Sequence, residues 1–353
     1  MSESLYFDPL NQPRPVGPVD RLPVMGARAD MIDMDKVQAH VGRAVELKRY
    51  DGVTDPLAYL LHRECMVRVN DVLVPTLAGL LCFGRNPQEL IRWAVVDLGH
   101  YRSLQALSYE LVHLGKAVGG TIMDQLEYLR RYLWTYTQHG MGSGEGFQRV
   151  DIHEYPEVVI RELSINMLSH RDYWMPFAQA RVMLFRNRIE WSNPGGLPEG
   201  ITPENILRTQ KSRNPTLQTI LFEAGYTEGL GQGIDTVVAA LSTLEGGDSR
   251  SNPTFEDHRD SFIVTVYGRS PDEFYAEEIV GDLNKEQRRL LQFVRQKGEV
   301  STPDIMKRLE RSENSVHRDL KVLLNANLIE AVGEARRRRY RLVTTPPTST
   351  HEL

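Results

Sequence analysis

Residues 157–173 read EVVIRELSINMLSHRDY. Val158, Ile160, Leu163, Ile165, Met167 and Leu168 supply the apolar content of an amphipathic helix, and Glu162, Asn166 and His170 recur at steps of four. A step of four stacks side chains on one helix face. A carboxylate, a carboxamide and an imidazole therefore share one ridge. Three polar residues on a core helix are more often a solvated stripe than a site, so the surrounding sequence decides. After Tyr173 comes a strand, ARVMLFRNRIEWS, then the turn NPGGLPEG, and further on GLGQGIDTVV, a glycine-rich turn running into a helix. Helix, strand, Gly-Gly turn and second Gly-rich turn stand in the order that a nucleotide site on a helix-and-sheet sandwich needs.

The chemistry of such a site can be assigned residue by residue. Magnesium takes a few protein oxygens and fills its shell with water and phosphate oxygens. The carboxamide oxygen of Asn166 suits it. Glu162, one turn away, could polarise an attacking water as general base, or serve a neighbouring strand as a hydrogen-bond partner. Asn193 ends a strand just before Gly195 and Gly196, where a side chain can reach the exocyclic amine of adenine and the glycines let the ring approach the backbone. Gly229, Gly231 and Gly233 precede the helix IDTVVAALSTL, whose N-terminal N–H groups would face phosphate. Lys211 and Arg213, between the two glycine turns, either reach a γ-phosphate or are solvated charges. His170 completes the ridge.

RELSINMLSHRDYW, RIEWSNPGGLPEGITPENI, SRNP and EGLGQGID together resemble the ATP-binding domain of the GHKL superfamily, the Bergerat-type α/β sandwich of gyrase, heat-shock chaperones, histidine kinases and MutL. More closely they resemble the RecG-related branch of ATP-binding transcriptional regulators, which PTLAGLLCFGRNPQ also matches. The resemblance runs from about Asp51 to the C-terminus. It implies that Glu162 and Asn166 form the N-box, residues 193–196 the first glycine box, and residues 229–233 the second, over the phosphates of ATP-Mg. Asn193 stands where the superfamily usually has an adenine-contacting aspartate. The branch often carries an N-terminal Schlafen/AlbA-like domain, which this chain is expected to lack.

The remaining chain divides by composition. Residues 1–30 hold Pro13, Pro15, Pro18 and Pro23 without periodic apolar pattern and read as an extended or disordered arm. Residues 31–139 read as a mixed α/β module, structural or dimerising. Asp55 before Pro56 and Thr76 before LAGLLCF mark helix starts, AVVDLGHYRS a strand, and the stretch from Ser108 to Tyr136 one long helical region. GMGSGEGF at 140–147 has no P-loop lysine and reads as a connection at the start of an ATP-binding domain spanning 140–268. An acidic linker covers 269–282 and a tail 344–353. The expected class is α+β and multidomain.

Residues 283–343 show three helices followed by a hairpin, the winged helix-turn-helix pattern. Asn284 and Ser312 cap the first and third helices. In the third, Val316, Leu320, Leu323 and Leu324 make the buried face, and Asn314, Ser315, His317, Arg318 and Lys321 the exposed one. Arg336, Arg337, Arg338 and Arg339 form the wing. SENSVHRDLKVLL resembles the recognition helix of DeoR-type repressors. Residues 282–342 hold fifteen Lys/Arg against nine Asp/Glu, so the remainder carries −11 of the formal −5 total. This segregation places positive charge where DNA phosphates would be met. Winged-helix regulators commonly bind as dimers to paired half-sites.

Two cysteines, Cys65 and Cys82, exclude a disulfide framework and a cysteine zinc site. No segment reads as a signal peptide or membrane span. The sequence thus points to a cytoplasmic, ATP-binding, DNA-binding transcriptional regulator, a homodimer with Mg2+ and double-stranded DNA as partners and no membrane. Two rivals stay open: a slow GHKL ATPase driving a conformational cycle, and a defence or mobile-element protein that binds DNA. Neither the operator nor the occurrence of turnover is legible.

Overall fold

The computed structural model describes residues 6–143, 149–209, 211–228, 233–242, 252–268, 283–309, 311–325, 328–333 and 338–342. The chain divides into two compact units: residues 1–137 with 155–268, and residues 138–154 with 269–353.

The first unit opens on a segment that folds onto its own body. Phe7 is buried, donates its N–H to Pro23 O, and meets the Trp174 ring edge-on at 5.2 Å. The expected loose arm is therefore a packed strap over residues 6–30. Its proline-rich composition hides the anchors because they are single residues without periodicity. Three helices follow in order, α1 (Met34–Glu46), α2 (Pro56–His62) and, after the hairpin of β1 (Met66–Val69) and β2 (Val72–Pro75), α3 (Leu77–Phe83). Asp55 accepts from Ala58 N and Thr76 from Gly79 N, each satisfying an N–H that the first helical turn leaves free. Every residue of α3 is buried.

Next come β3 (Val96–Tyr101), β4 (Leu111–Val118) and α4 (Ile122–Tyr136). The long helical region expected from Ser108 is thus a strand followed by a helix. The helix starts at a capping box between Thr121 and Asp124. The residues ahead of it pair with β3, and that long-range ladder overrides the helix-like apolar spacing.

In the second unit β5 (His139–Ser143) and β6 (Arg149–His153) form an antiparallel hairpin. The first half of the glycine-rich connection, Gly140–Ser143, is therefore a strand; residues 144–148 lie outside the described residues.

Back in the first unit, α5 (Glu157–His170) is followed by β7 (Ala180–Leu184), β8 (Arg188–Pro194), α6 (Pro215–Glu223), α7 (Gly233–Ser242), β9 (Thr254–His258) and β10 (Ser261–Tyr267). Six strands make one mixed sheet in the order β4-β3-β7-β8-β10-β9. Among the described pairings of this sheet only β3–β7 is parallel, which requires a crossover connection, and α4 and α5 lie within it. Along β8, Ile189, Trp191 and Asn193 are buried while Arg188, Glu190 and Ser192 are less so. This period of two gives one inward face, against which α5 packs, with α4 and α7 beside it. The sheet crosses the expected boundary at residue 139, because β3 and β4 belong to it. One hydrophobic core runs from Phe7 to Val266.

Two devices hold the helix layer in place. α5 ends at His170 rather than running to Tyr173, because the Asn214 amide donates to Ser169 O and Arg171 O and satisfies the terminal carbonyls. Asp20, from the strap, accepts the N–H groups of Thr216 and Leu217 and caps α6 from a distance.

In the second unit α8 (Lys285–Lys297), β11 (Glu299–Ser301), α9 (Thr302–Leu309), α10 (Glu313–Asn325), β12 (Ile329–Val332) and β13 (Arg339–Leu342) have their own core around Leu290, Val300, Val316, Leu320 and Tyr340. Asn284 caps α8 in a capping box with Gln287. The strands pair antiparallel in the order β11-β13-β12. Buried Asp319 joins α8 to α10, accepting from Gln287 and, at 2.6 Å, from Arg311.

Candidate functional site

A cavity of about 790 Å3 opens between α5, the end of β8, α6 and the start of α7. Glu162, Asn166 and His170 all line it, as their spacing on one helix face dictates. Asn193, Gly195, Gly196, Lys211, Arg213 and Gly233 line it too. Gly229 and Gly231 lie outside the described residues.

At one end α7 begins hard against α5. A Cβ on Gly233 would sit 2.8 Å from Glu162 Oε2 and 3.3 Å from Asn166 Nδ2. An added Cβ would displace these side chains, and the first turn of α7 borders the same cavity, where a helix start favours an anion. Glu162 is buried and accepts from the Arg161 guanidinium at 2.9 Å.

At the other end, β8 runs into the Gly-Gly turn. Gly195 has φ +86°, and a Cβ there would meet Arg213 Nη1 at 2.3 Å and Asp172 Cβ at 2.7 Å, so both conformation and space demand glycine. Arg213 donates to Gly196 O at 2.7 Å and lies 3.6 Å from Asp172, which also pairs with Arg14 of the strap. Arg213 is thus a clamp on the glycine turn, and exposed Lys211 donates to Glu199 O on the same side. Among the described residues neither is engaged with the α7 end. Asn193 is 7 % exposed, and its Oδ1 is buried with no hydrogen-bond partner among the described residues. A buried acceptor without a donor costs free energy, and a ligand amine in the cavity would supply the donor. Trp191, Phe262, Val264 and Ile201 add apolar wall for a flat ring.

Between the ends stands His170. Gln218 Nε2 lies 2.8 Å from His170 Nε2. An amide nitrogen only donates, so the ring accepts at Nε2 and carries its proton on Nδ1. Burial, and then the charge of Arg213, push the imidazole down to about 4. The sign of the pH effect follows. Between about 6.5 and 4 the unfolded ring binds a proton and the folded ring does not, so stability falls as pH falls through this window. The full loss is on the order of 3 kcal/mol. Asp20 acts oppositely: burial raises it to about 6, so its contribution grows as pH falls. Urea unfolding of wild type and His170→Gln from pH 7 to pH 4 isolates the histidine. The wild type should lose about 3 kcal/mol more than the variant, and parallel curves would refute the assignment.

The residues present fit a magnesium nucleotide. The orphaned Asn193 acceptor and the tight Gly233 cradle mark the two ends of the fit. Among the described residues no group of three His, Cys, Asp or Glu side chains could hold a metal alone. A magnesium ion would thus use Asn166 together with phosphate oxygens and water.

Residues 178–266 are ATPase-like. They match the HATPase_c_4 family model, described as "Putative ATP-dependent DNA helicase recG C-terminal". The ATPase-like segment carries Asn193, Gly195, Gly196, Arg213 and Gly233, while Glu162, Asn166 and His170 precede it. ATP binding is the property this match supports, and the RecG-related, ATPase-type relationship is common to it and to the motifs. Residues 282–345 match a second model, described as HVO_A0114. The crystal structure of the DIP2311 protein from Corynebacterium diphtheriae is similar in fold, with TM-score 0.56 and 18 % identity, over 93 % of this chain. The present chain spans 64 % of the length of that one. No curated protein matches the chain. No helix among the described residues is long and apolar enough to cross a membrane.

In the second unit, Asn314, His317, Arg318 and Lys321 are exposed on α10 and Ser315 is half-buried, while Val316, Leu320 and Leu323 face the core and Leu324 is half-buried. Arg338 and Arg339 are exposed at the start of β13. Arg336 and Arg337 lie outside the described residues.

Sequence reasoning missed Arg161, Asp172, Gln218 and Arg14. Arg161 adjoins the ridge and was within reach. Gln218 and Arg14 come from distant segments, and only the folded chain brings Gln218 to the cavity and Arg14 to Asp172.

Proposed function

We propose that the chain is an ATP-binding, DNA-binding transcriptional regulator, in which ATP-Mg occupancy of the first unit sets the DNA affinity of a winged helix at 283–343. The observation that carries the nucleotide part is the pairing of the Glu162–Asn166–Gly233 cradle with the unpartnered Asn193 Oδ1 in one cavity. The amine of adenine would donate to Asn193, the first turn of α7 would receive the phosphates, and Asn166 would hold magnesium, which supplies charge neutralisation at the phosphate oxygens. Arg213 holds the glycine turn in shape for the base. The DNA part is supported by the exposed polar face of α10 and by the basic excess of residues 282–342. Regulation requires that ATP bind one DNA-affinity state better than the other.

The placement of Glu162 beside Asn166 supports a second reading, slow ATP hydrolysis with Glu162 as general base. Calorimetric titration of the full chain with Mg-ATP, a turnover assay, and DNA binding with and without ATP separate the readings. Tight ATP binding with an ATP-dependent change in DNA affinity and no turnover is the expected result. Turnover abolished by Glu162→Gln would favour the ATPase cycle, and absence of ATP binding would overturn both.

A further inference from the structure

Arg49 lies just past α1, outside the ATPase-like segment at 178–266, yet it grips one wall of the cavity. Its Nη1 donates to Phe222 O at 2.9 Å and to Thr227 O, and its Nη2 donates to the Glu228 carboxylate at 3.1 Å. The guanidinium also stands 4.8 Å from the centre of the Phe222 ring. Phe222, Thr227 and Glu228 all line the cavity, while Arg49 does not. Glu228 is exposed, so that ion pair adds little. The two carbonyls carry the grip, and Phe222 O belongs to the last turn of α6, where partial negative charge gathers.

The end of α1 is built to aim this side chain. Arg49 N donates to Ala44 O and Lys48 N to Val45 O, the paired bonds of a Schellman turn. Its left-handed position is filled by Lys48, at φ +56°, where glycine is usual. Such strain persists only where surrounding contacts hold it. Beside it, Leu47 packs so closely on the turn after α6 that a Cβ on Gly225 would stand 2.7 Å from Leu47 Cδ1. The gripped wall lies away from the base end. α6 starts next to Arg213, the clamp on the glycine turn, and its rise carries Phe222 roughly 10 Å further on. Glu228 then stands five residues ahead of Gly233 in the sequence. We infer that Arg49 is a positioning residue for the phosphates of the bound nucleotide, acting through the wall at 222–228. Its role rests on the nucleotide reading of the cavity, and it extends the nucleotide site to the module before the ATPase-like segment.

The test is calorimetric titration of the full chain with Mg-ATP and, separately, with adenosine, for wild type, Arg49→Ala and Arg49→Lys. Thermal unfolding verifies the fold of each variant. A wall in place about a tenth of the time lowers apparent affinity about tenfold. Arg49→Ala should therefore lose about tenfold in ATP affinity and keep adenosine affinity within about twofold. Arg49→Lys keeps the charge but not the planar fork, so it should lose ATP affinity in the same selective way to a smaller extent. It also serves as the test should the alanine variant fail to fold. Unchanged ATP affinity in the folded variants overturns the inference alone. Equal losses for ATP and adenosine overturn it too, since Arg49 would then support the whole cavity. A wild type that binds neither ligand overturns the nucleotide reading itself, and the inference with it.

Discussion

Replacing Asn166 by alanine is expected to weaken Mg-ATP binding by about two orders of magnitude without unfolding the chain. Asn166 is half-buried on α5 and faces the start of α7, so its carboxamide is the neutral oxygen ligand nearest the place where the helix terminus would gather phosphate. Alanine is the strongest helix former, so α5 itself should persist, and circular dichroism checks this directly. Asn166 and Glu162 should also separate in kind. Glu162→Gln keeps shape and hydrogen-bonding capacity and should leave binding within a few-fold, because a general base acts on the water and not on the bound nucleotide. Calorimetry of both variants beside wild type decides. Unchanged ATP affinity in Asn166→Ala would remove the residue from the site.

The second large effect concerns folding. Gly79 lies in the fully buried helix α3, and a Cβ there would stand 1.9 Å from the Cys65 carbonyl oxygen. That oxygen accepts from Thr76 N, and Thr76 in turn caps α3. Gly79→Ala must therefore move backbone at both ends of the β1–β2 hairpin. A cost above about 3 kcal/mol is expected, beyond ordinary overpacking, and the thermal transition of the first unit should fall by roughly 10 °C. Gly42→Ala is the matched control. Gly42 sits in α1 with nothing within 4 Å of the added atom, so the same change should stabilise by about 0.5–1 kcal/mol. Equal behaviour of the two variants in scanning calorimetry would refute the packing argument.

The site is legible in sequence where a local rule links residues to geometry. Steps of four on α5 place Glu162, Asn166 and His170 along one wall, and strand alternation turns Asn193 inward beside Trp191. The caps at Asp55, Thr76 and Asn284 follow from residue type and position, because a helix start has a local chemical need. Legibility fails where the partner is distant. β4 carries an apolar spacing that suits a helix, and only the ladder with β3 makes it a strand. Arg213 carries a charge that suits a phosphate, and only the approach of Gly196 and Asp172 makes it a clamp.

Local periodicity, capping and glycine placement thus determine by themselves the elements of the cavity walls and their order along the chain. The tertiary structure decides what those rules do not reach. It sets the union of β3 and β4 with the central sheet, the docking of the strap, and the capping of α6 by Asp20. The physical reason is the same in each case. Such contacts join residues far apart in sequence, so they arise from burial and hydrogen-bond satisfaction in the folded chain, and no short window of sequence encodes them.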